Sequence, residues 1–444
     1  MAKGLYFGVG GKARKGKRAY FGVGGKARKI KKMYIGIGGK ARLCYSSGLF
    51  GKAHARFSSY QIPVVLNNPD VTNPTGWTVS TRTGTTFNGI NSASAYAFGK
   101  WFTGYSATSG TKTALMYSTD GITFTKGADA IITNGNDGSS HINSDAVSIT
   151  PLIECDGRLF GRVNQTFSTG GSQSGGGGSN YFTYVEFNST GTKIDQATGY
   201  TWTYSSINSG YGNGGSEGQF TRYYSGSVYH NGYIYHAYTE RKRDKADNYM
   251  GRTTITIERY SIANKTFEVV ANDFFSYLET SVSNNAPVYS TGVNIYECSN
   301  TILVAYNFLI YRYDPSTNTV TELIKPTSTF CPISYVRINE NTFLNRMNKN
   351  VYSYNGSVMT LVATGTNTLP NSGNMYGMEW VGDRCMGLYA TRASGATTAP
   401  ISLWYTLDGI TFTENNGFAT TPSGAFANYS STGTLYISTC PAPS

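Results

Sequence analysis

What most limits how this chain can fold is a strand–turn–strand phrase that recurs from residue 60 onward. It occurs around Gly99-Lys100, Asp156-Gly157, Asn231-Gly232, Ser299-Asn300, Asn339-Glu340, Gly382-Asp383 and Thr432-Gly433. Apolar or aromatic residues flank each turn, as in Tyr229-His230-Asn231-Gly232-Tyr233-Ile234-Tyr235. Gly, Asn and Asp pairs of this kind accept the positive φ of a tight hairpin turn. After each of the first six comes a second hairpin, over Met116–Phe124, Tyr184–Thr192, Arg259–Phe267, Tyr311–Thr319, Val351–Val358 and Trp404–Phe412. Two hairpins per unit of ~40 to 75 residues predict four-stranded sheets repeated as propeller blades. The seventh unit lacks its second hairpin, and Trp77–Phe87 near the start of the body is expected to supply it. Strands from both ends would then close a ring and hide the sheet edges. Seven blades are expected, with six or eight as neighbouring counts and a β-sandwich or jelly roll as the rival all-β fold.

Ahead of this body, one phrase is written three times. It reads Tyr6-Phe7-Gly8-Val9-Gly10-Gly11-Lys12-Ala13-Arg14, then Tyr20 to Arg28 with Lys26, then Tyr34-Ile35-Gly36-Ile37-Gly38-Gly39-Lys40-Ala41-Arg42. The fourteen-residue period, Tyr6 to Tyr20 to Tyr34, is too short for a helical repeat and suits one β-hairpin with a Gly-Gly turn. Residues 44–60 read as a worn fourth copy and linker, since Gly51-Lys52-Ala53-His54-Ala55-Arg56 echoes the phrase without its Tyr. Residues 1–69 hold fifteen Lys and Arg and no Asp or Glu, whereas the remainder holds 22 basic and 25 acidic residues. The chain therefore divides at about residue 58 into a basic, glycine-rich arm (1–58) and an all-β body (59–444). A lone two-stranded hairpin is marginal in water, so the arm should order fully only against a partner. Docking into a protein assembly is the leading expectation for Tyr6, Lys12, Arg14, Tyr20, Lys26, Arg28, Tyr34, Lys40 and Arg42. Aromatics interleaved with cations keep nucleic-acid binding by the arm as an alternative.

The phrase Tyr34 to Arg42, with Arg28-Lys29-Ile30-Lys31-Lys32 before it, resembles the N-terminal repeats of tail and baseplate-associated structural proteins of phages and prophages from Gram-positive bacteria. The resemblance covers about the first tenth of the chain. It implies that the arm joins a distal domain to other virion tail or baseplate proteins. It also implies a homo-oligomer set by the particle's symmetry, assembled in a host cytoplasm. Within the body, Ser118-Thr119-Asp120-Gly121-Ile122-Thr123-Phe124 and Thr406-Leu407-Asp408-Gly409-Ile410-Thr411-Phe412 resemble the Asp-box turn of sialidase-like propellers. Ser80 to Phe87 is a degraded version with Arg82 where the Asp would stand, and Tyr313 to Asn318 is closer to a Kelch-type strand end. Asp120 and Asp408 are expected to accept backbone N–H groups of their own turns, with Gly121 and Gly409 at positive φ. Both are read as structural.

Signals for chemistry are few. Charged residues are only 14% of the chain, whereas Gly (53) and Tyr (35) abound, a balance of short strands and turns. No apolar run is long enough to span a membrane, and no signal peptide is recognised at the N-terminus. Six scattered cysteines lack any Cys-x-x-Cys spacing and are expected to be free thiols. His54, His141, His230 and His236 show no metal-ligand spacing, so neither metal nor cofactor is expected. The nearest enzyme, a sialidase-type glycoside hydrolase, needs an arginine triad, a Tyr/Glu nucleophile pair and an Asp acid. Its early Arg-Ile-Pro is replaced here by Gln61-Ile62-Pro63. Glu154, Glu186, Glu240, Glu258, Glu297 and Glu379 offer no motif that singles out a pair. The expectation is therefore a non-enzymatic virion protein whose body is displayed for recognition of a host-surface glycan or protein. The stretches Ser168–Asn180 and Ser205–Gly218 and the tip Arg241–Lys245 are expected to be projecting loops, and no receptor-contacting residue is identified. A glycosidase acting on cell-surface polysaccharide is the alternative.

Overall fold

A computed structural model of the 444-residue chain shows strands and no helix among its described residues. Side chains are described within 95–104, 114–132, 149–164, 181–202, 222–240, 252–276, 293–324, 335–364 and 404–414, apart from some positions, and at 368, 378 and 385; elsewhere only the backbone of assigned strands is described. The body is a series of antiparallel meanders. Sheet I is built from residues 90–129, sheet II from 149–204, sheet III from 218–278, sheet IV from 294–324, sheet V from 335–363 and sheet VI from 375–414. In each, four strands follow one another in chain order; sheet I gains Thr83–Gly84, parallel to Thr123–Phe124, and in sheet II Tyr200–Tyr204 also pairs with Gly178–Phe187. The paired-hairpin reading thus holds for six units.

The inner turns explain the meander. Asp156-Gly157, Asn231-Gly232 and Ser299-Asn300 have both central residues at positive φ, between 48° and 88°. Such turns match the twist of the strands they join. In sheet I the turn is Phe98-Gly99, one residue earlier than the sequence reading, because Lys100 pairs with Ala97 and puts the glycine second, as at the Asp156 and Asn231 turns. In sheet V the connection around Asn339-Glu340 is a four-residue link between Tyr335–Arg337 and Thr342–Asn345, with Asn339 Oδ1 accepting the N–H of Asn341.

Successive sheets pack face to face, each pair enclosing its own apolar core. Leu115 of sheet I meets Leu159 and Val185 of sheet II; Tyr184 of sheet II meets Ile234 and Tyr260 of sheet III. Tyr235 and Ile257 of sheet III meet Val304 and Tyr313 of sheet IV; Leu303 of sheet IV meets Phe343 of sheet V; Val351 of sheet V meets Phe412 of sheet VI. An inner sheet is therefore buried on both faces. In the strand Thr301–Tyr306 all six residues are buried, with Ile302, Val304 and Tyr306 facing sheet III and Leu303 and Ala305 facing sheet V. Cys155, Cys298 and Cys385 are buried and are not joined in disulfides.

The ends of the body meet differently from the expectation. Val64–Asn67 pairs antiparallel with Thr78–Thr81 and parallel with Tyr436–Ser438, giving one three-stranded sheet. Trp77–Phe87 is not a hairpin of its own, because Thr78–Thr81 takes Val64–Asn67 as partner while Thr83–Gly84 joins sheet I. The turn at Thr432-Gly433 lies outside the described residues. In the arm, Tyr6–Val9 pairs with Lys12–Lys15, Tyr20–Val23 with Lys26–Lys29 and Lys32–Ile37 with Lys40–Ser46, as three separate two-stranded sheets. One hairpin per repeat is what the fourteen-residue period requires.

Truncating Leu303, fully buried between sheets IV and V, should cost about 2–5 kcal/mol as Leu303→Ala. The same change at Leu361, 46% exposed on the outer strand of sheet V, should cost under about 0.5 kcal/mol. Urea titrations of the two variants read the contrast directly.

Candidate functional site

Two polar constellations stand out, and they lie on opposite faces of sheet III. The first is a sealed seam between sheets II and III. Strand alternation sends His236, Tyr238 and Glu240 toward sheet II, while Tyr235 and Ala237 face sheet IV. Glu258 Oε2 accepts the Tyr200 hydroxyl at 2.7 Å and lies 2.7 Å from His236 Nε2. On the other side of the imidazole, the Tyr184 hydroxyl lies 3.4 Å from Nδ1 and 2.9 Å from Ser227 Oγ. Arg158 makes a two-point contact with Glu186, at 2.6 and 2.5 Å. Arg222 donates to Glu240 at 2.6 Å and packs over the rings of Trp202 and Tyr238. Arg162 is buried, donates to Ser225 O, and leaves its Nε without a partner.

Burial dominates the electrostatics of this seam. It pushes the His236 imidazole below its usual range, outweighing the hydrogen bond to Glu258, so the ring is read as neutral and donating through Nε2. Burial likewise holds the Tyr184 and Tyr200 phenols well above their usual range. The Tyr200–Glu258 contact joins residues 58 positions apart, which sequence spacing could not single out. Glu258 is only 5% exposed and His236 0%. Both side chains sit where sheets II and III pack together, and the Tyr200–Glu258 pair links the two sheets.

The second constellation is a cleft of about 450 Å³ on the tight-turn side of sheets III, IV and V. Sheet III contributes His230, Asn231, Tyr233, Tyr235 and Arg259. Sheet IV adds Ser299, Asn300, Thr301, Arg312 and the turn Asp314-Pro315-Ser316, and sheet V adds Gly356-Ser357. Arg259 lies 4.3 Å over the Tyr233 ring and is held by Glu268 at 2.7 Å. His230 Nδ1 stands 3.5 Å from Glu297, and its Nε2 3.0 Å from Asn231 Nδ2. Asp314 Oδ1 accepts the Ser316 hydroxyl at 2.6 Å and the Ser316 N–H at 3.0 Å, which keeps its carboxyl below the usual range. Arg312 Nη1 reaches Gly356 O only at 3.4 Å, and its Nε is buried without a hydrogen-bond partner. Volume, aromatic faces and convergent polar groups are those of a small polar-ligand site.

The sequence-selected residues are distributed as follows. Asp408 Oδ1 accepts the N–H groups of Ile410 and Thr411 at 2.8 and 2.9 Å and the Thr406 hydroxyl at 3.2 Å. Although burial opposes it, those donors hold the Asp408 carboxyl below its usual range. Gly409 has φ 78° and Phe412 is buried against sheet V. Asp120 and Gly121 lie outside the described residues. In the arm, Tyr6 stands opposite Lys15, Lys12 opposite Val9 and Arg14 opposite Phe7. The second hairpin repeats this register with Tyr20, Lys26 and Arg28, and the third sets Tyr34 opposite Leu43, Arg42 opposite Ile35 and Lys40 opposite Ile37. Of the six glutamates, Glu154 accepts the Gly157 N–H of its own turn and Glu379 is described only as strand backbone opposite Met386.

Two expected loops are shorter than their composition implied. Strands run through Ser168 and resume at Gly178, and Arg241, Lys242 and Arg243 pair with Thr253, Arg252 and Gly251. The β-branched run of Gly251–Ser261 supplies a partner strand long enough to extend the ladder over this charged segment. The cleft residues escaped sequence reading because three sheets contribute them. The two usable signals were the turn phrase at Asn231-Gly232 and the strand end at Tyr313–Asn318. Among the described residues no group of three His, Cys, Asp or Glu side chains is placed to hold a metal.

No known family model matches the chain, and no curated protein matches it. Among solved structures, a mutant of Trypanosoma rangeli sialidase displaying trans-sialidase activity aligns with 82% of this chain and 58% of its own, at 11% identity and a TM-score of 0.34. The GH43 endo-arabinanase from Bacillus licheniformis aligns with 56% of this chain and 98% of its own, at 13% identity and 0.19. The Bombyx mori GH32 β-fructofuranosidase BmSUC1 aligns with 87% and 89%, at 8% and 0.25. The chain thus spans under two thirds of the sialidase. These neighbours are glycoside hydrolases, and on that finding the expectation of a chain without enzymatic activity is corrected. At such identities and scores the likeness assigns no reaction.

The neutral imidazole of His236 sets a pH dependence. Its folded pKa lies below the unfolded value of about 6.5, so the unfolded chain binds the extra proton. Its contribution is present above about pH 6.5 and is lost as pH falls from there through the depressed folded value. Denaturant midpoints between pH 7 and 5.5 should therefore fall with acidification, and His236→Gln should flatten that slope.

Proposed function

We propose that this protein is a glycan-recognising β-propeller carried on a basic attachment arm. The cleft beside sheets III to V carries the reading. Tyr233, half-buried beside Arg259, offers an aromatic wall, and Asn231, Asn300, Ser299 and Ser357 surround it with short hydrogen-bonding side chains. Sugars present the same combination, an apolar ring face edged with hydroxyls, and aromatic contact with satisfied hydroxyls is what binds them. The propeller, with seven blades, is favoured by six four-stranded sheets packed in sequence and by a further sheet shared between residues 64–81 and 436–438. A ring of that kind would place all the tight turns on one side, where the cleft lies.

Three hairpins in register-matched pairs favour docking of the arm to a repetitive assembly, and a phage tail or baseplate is the particle proposed. Equivalent weak units in tandem gain strength by effective concentration rather than by new contacts. The surplus of cations in residues 1–69 would draw them to an acidic surface, with Tyr6, Tyr20 and Tyr34 at the same position of each unit.

Full-length protein should bind a subset of immobilised cell-surface glycans, and Tyr233→Ala, at a part-exposed ring, should weaken that binding about tenfold or more while the thermal melt stays as before. Binding unchanged by Tyr233→Ala and Asn231→Ala would remove the cleft from consideration. Release of reducing ends in the same incubation reads whether the bound glycan is also cleaved. For the arm, a triple Tyr6/Tyr20/Tyr34→Ala variant should fail to enter particles while its body melts as before. Arm affinity for nucleic acid that collapses between 50 and 200 mM salt would instead support the alternative role.

A further inference from the structure

We propose that the cleft ligand carries an anionic substituent, a carboxylate or a phosphate on a hydroxyl-rich body, and that Arg312 receives it. The inference rests on the glycan reading and narrows its substrate class. Three side chains that can carry positive charge line the cleft. Two already face carboxylates: Arg259 meets Glu268 at 2.7 Å and His230 meets Glu297 at 3.5 Å. Among the described residues Arg312 forms no such ion pair. Its Nη1 contact to Gly356 O is long, at 3.4 Å, and its buried Nε has no hydrogen-bond partner. Its other neighbours hold it only in part. The Tyr354 hydroxyl is in hydrogen-bond reach of the guanidinium but also donates to Gly356 O at 2.6 Å and meets Thr301 Oγ1 at 2.8 Å. Asp314, two residues along the same strand, feels the Arg312 charge without forming an ion pair, and its Oδ1 accepts the N–H and hydroxyl of Ser316.

A guanidinium presents five donors in a fixed fork and has no acceptor. Carboxylate and phosphate oxygens take two of those donors in parallel, in shorter and stronger bonds than a neutral hydroxyl makes. A buried donor without a partner is also costly, so a ligand that supplies one gains on both counts. Asn231, Ser299 and Ser357 on the same walls would meet the hydroxyls of the ligand's body. Lysine could not substitute fully, because its point charge lacks the planar two-point geometry.

The test uses full-length protein and small defined probes in calorimetric titrations at fixed low salt. Digalacturonic acid is compared with digalactose, and glucose 6-phosphate with glucose. The acidic member of at least one pair should bind about tenfold tighter than its neutral counterpart. Arg312→Gln should erase that difference, and Arg312→Lys should retain part of it. A preference confined to digalacturonic acid assigns a carboxylate, and one confined to glucose 6-phosphate assigns a phosphate. The basic arm is unchanged in these variants, so an acid preference that survives Arg312→Gln belongs to the arm and overturns the proposal. Equal binding of acidic and neutral probes overturns it too, yet leaves the glycan reading standing. No saccharide binding in any form would overturn both.

Discussion

Antiparallel strands of this chain stay in register because consecutive turn residues occupy the left-handed region, at Phe98-Gly99, Asp156-Gly157, Asn231-Gly232 and Ser299-Asn300. A two-residue turn of that hand fixes which residue pairs with which. A slip of one residue would move every side chain to the opposite face of its sheet. The consequences are large here, since each inner sheet has a different core on each face. Thr301–Tyr306 shows the dependence plainly: its even positions belong to one core and its odd positions to the next. Everything else, from the seam to the cleft, inherits its geometry from that alternation.

The two faces of sheet III illustrate how differently one strand can be used. Toward sheet IV it presents Tyr235, Ala237 and Ile257, an ordinary apolar core. Toward sheet II it presents His236, Glu240 and Glu258 among aromatic rings, with arginines supplied from both sides. Burying charge costs several kcal/mol per ion unless partners are well placed. The Arg158–Glu186 and Arg222–Glu240 contacts meet that condition, and Tyr200 with His236 does the same for Glu258. Arg162 meets it only in part, through Ser225 O and the faces of Phe182 and Tyr224. The contacts that cross the seam, Tyr200 to Glu258 and Arg162 to Ser225 O, add specificity to which sheet follows which, because another neighbour would leave those buried groups unpaired.

The cleft has the opposite character. Its rim carries exposed turn residues such as Asn231 and Ser357, and Arg312 on its wall keeps an unused donor. Its walls come from strands and turns more than a hundred residues apart in the chain, between His230 and Ser357. Rigid sheets hold those turns in place, the arrangement by which binding residues are commonly presented on a scaffold. The arm follows another logic: three hairpins with matching registers, each too small to bury a core, repeat one surface at equal intervals.

How much of this could be read in advance follows from the range of the forces involved. Six hairpin pairs, the arm's period and the Asp408 turn were legible because turn chemistry and strand alternation are local. Phe98-Gly99 was misplaced by one residue since Gly99 can occupy either central position of a turn, and only the pairing of Ala97 with Lys100 chooses. Arg241–Arg243 was read as a loop because charge favours solvent, yet a long neighbouring strand offered it backbone partners. The sequence by itself determined an all-β body of repeated meanders and a separate cationic hairpin arm. Only the tertiary structure decided that Glu258 is sealed beside His236 and Tyr200, that Thr78–Thr81 and Tyr436–Ser438 both join Val64–Asn67, and that Arg312 lines a cleft with Tyr235. Those outcomes depend on which faces of distant strands meet, and no local spacing of residues encodes that.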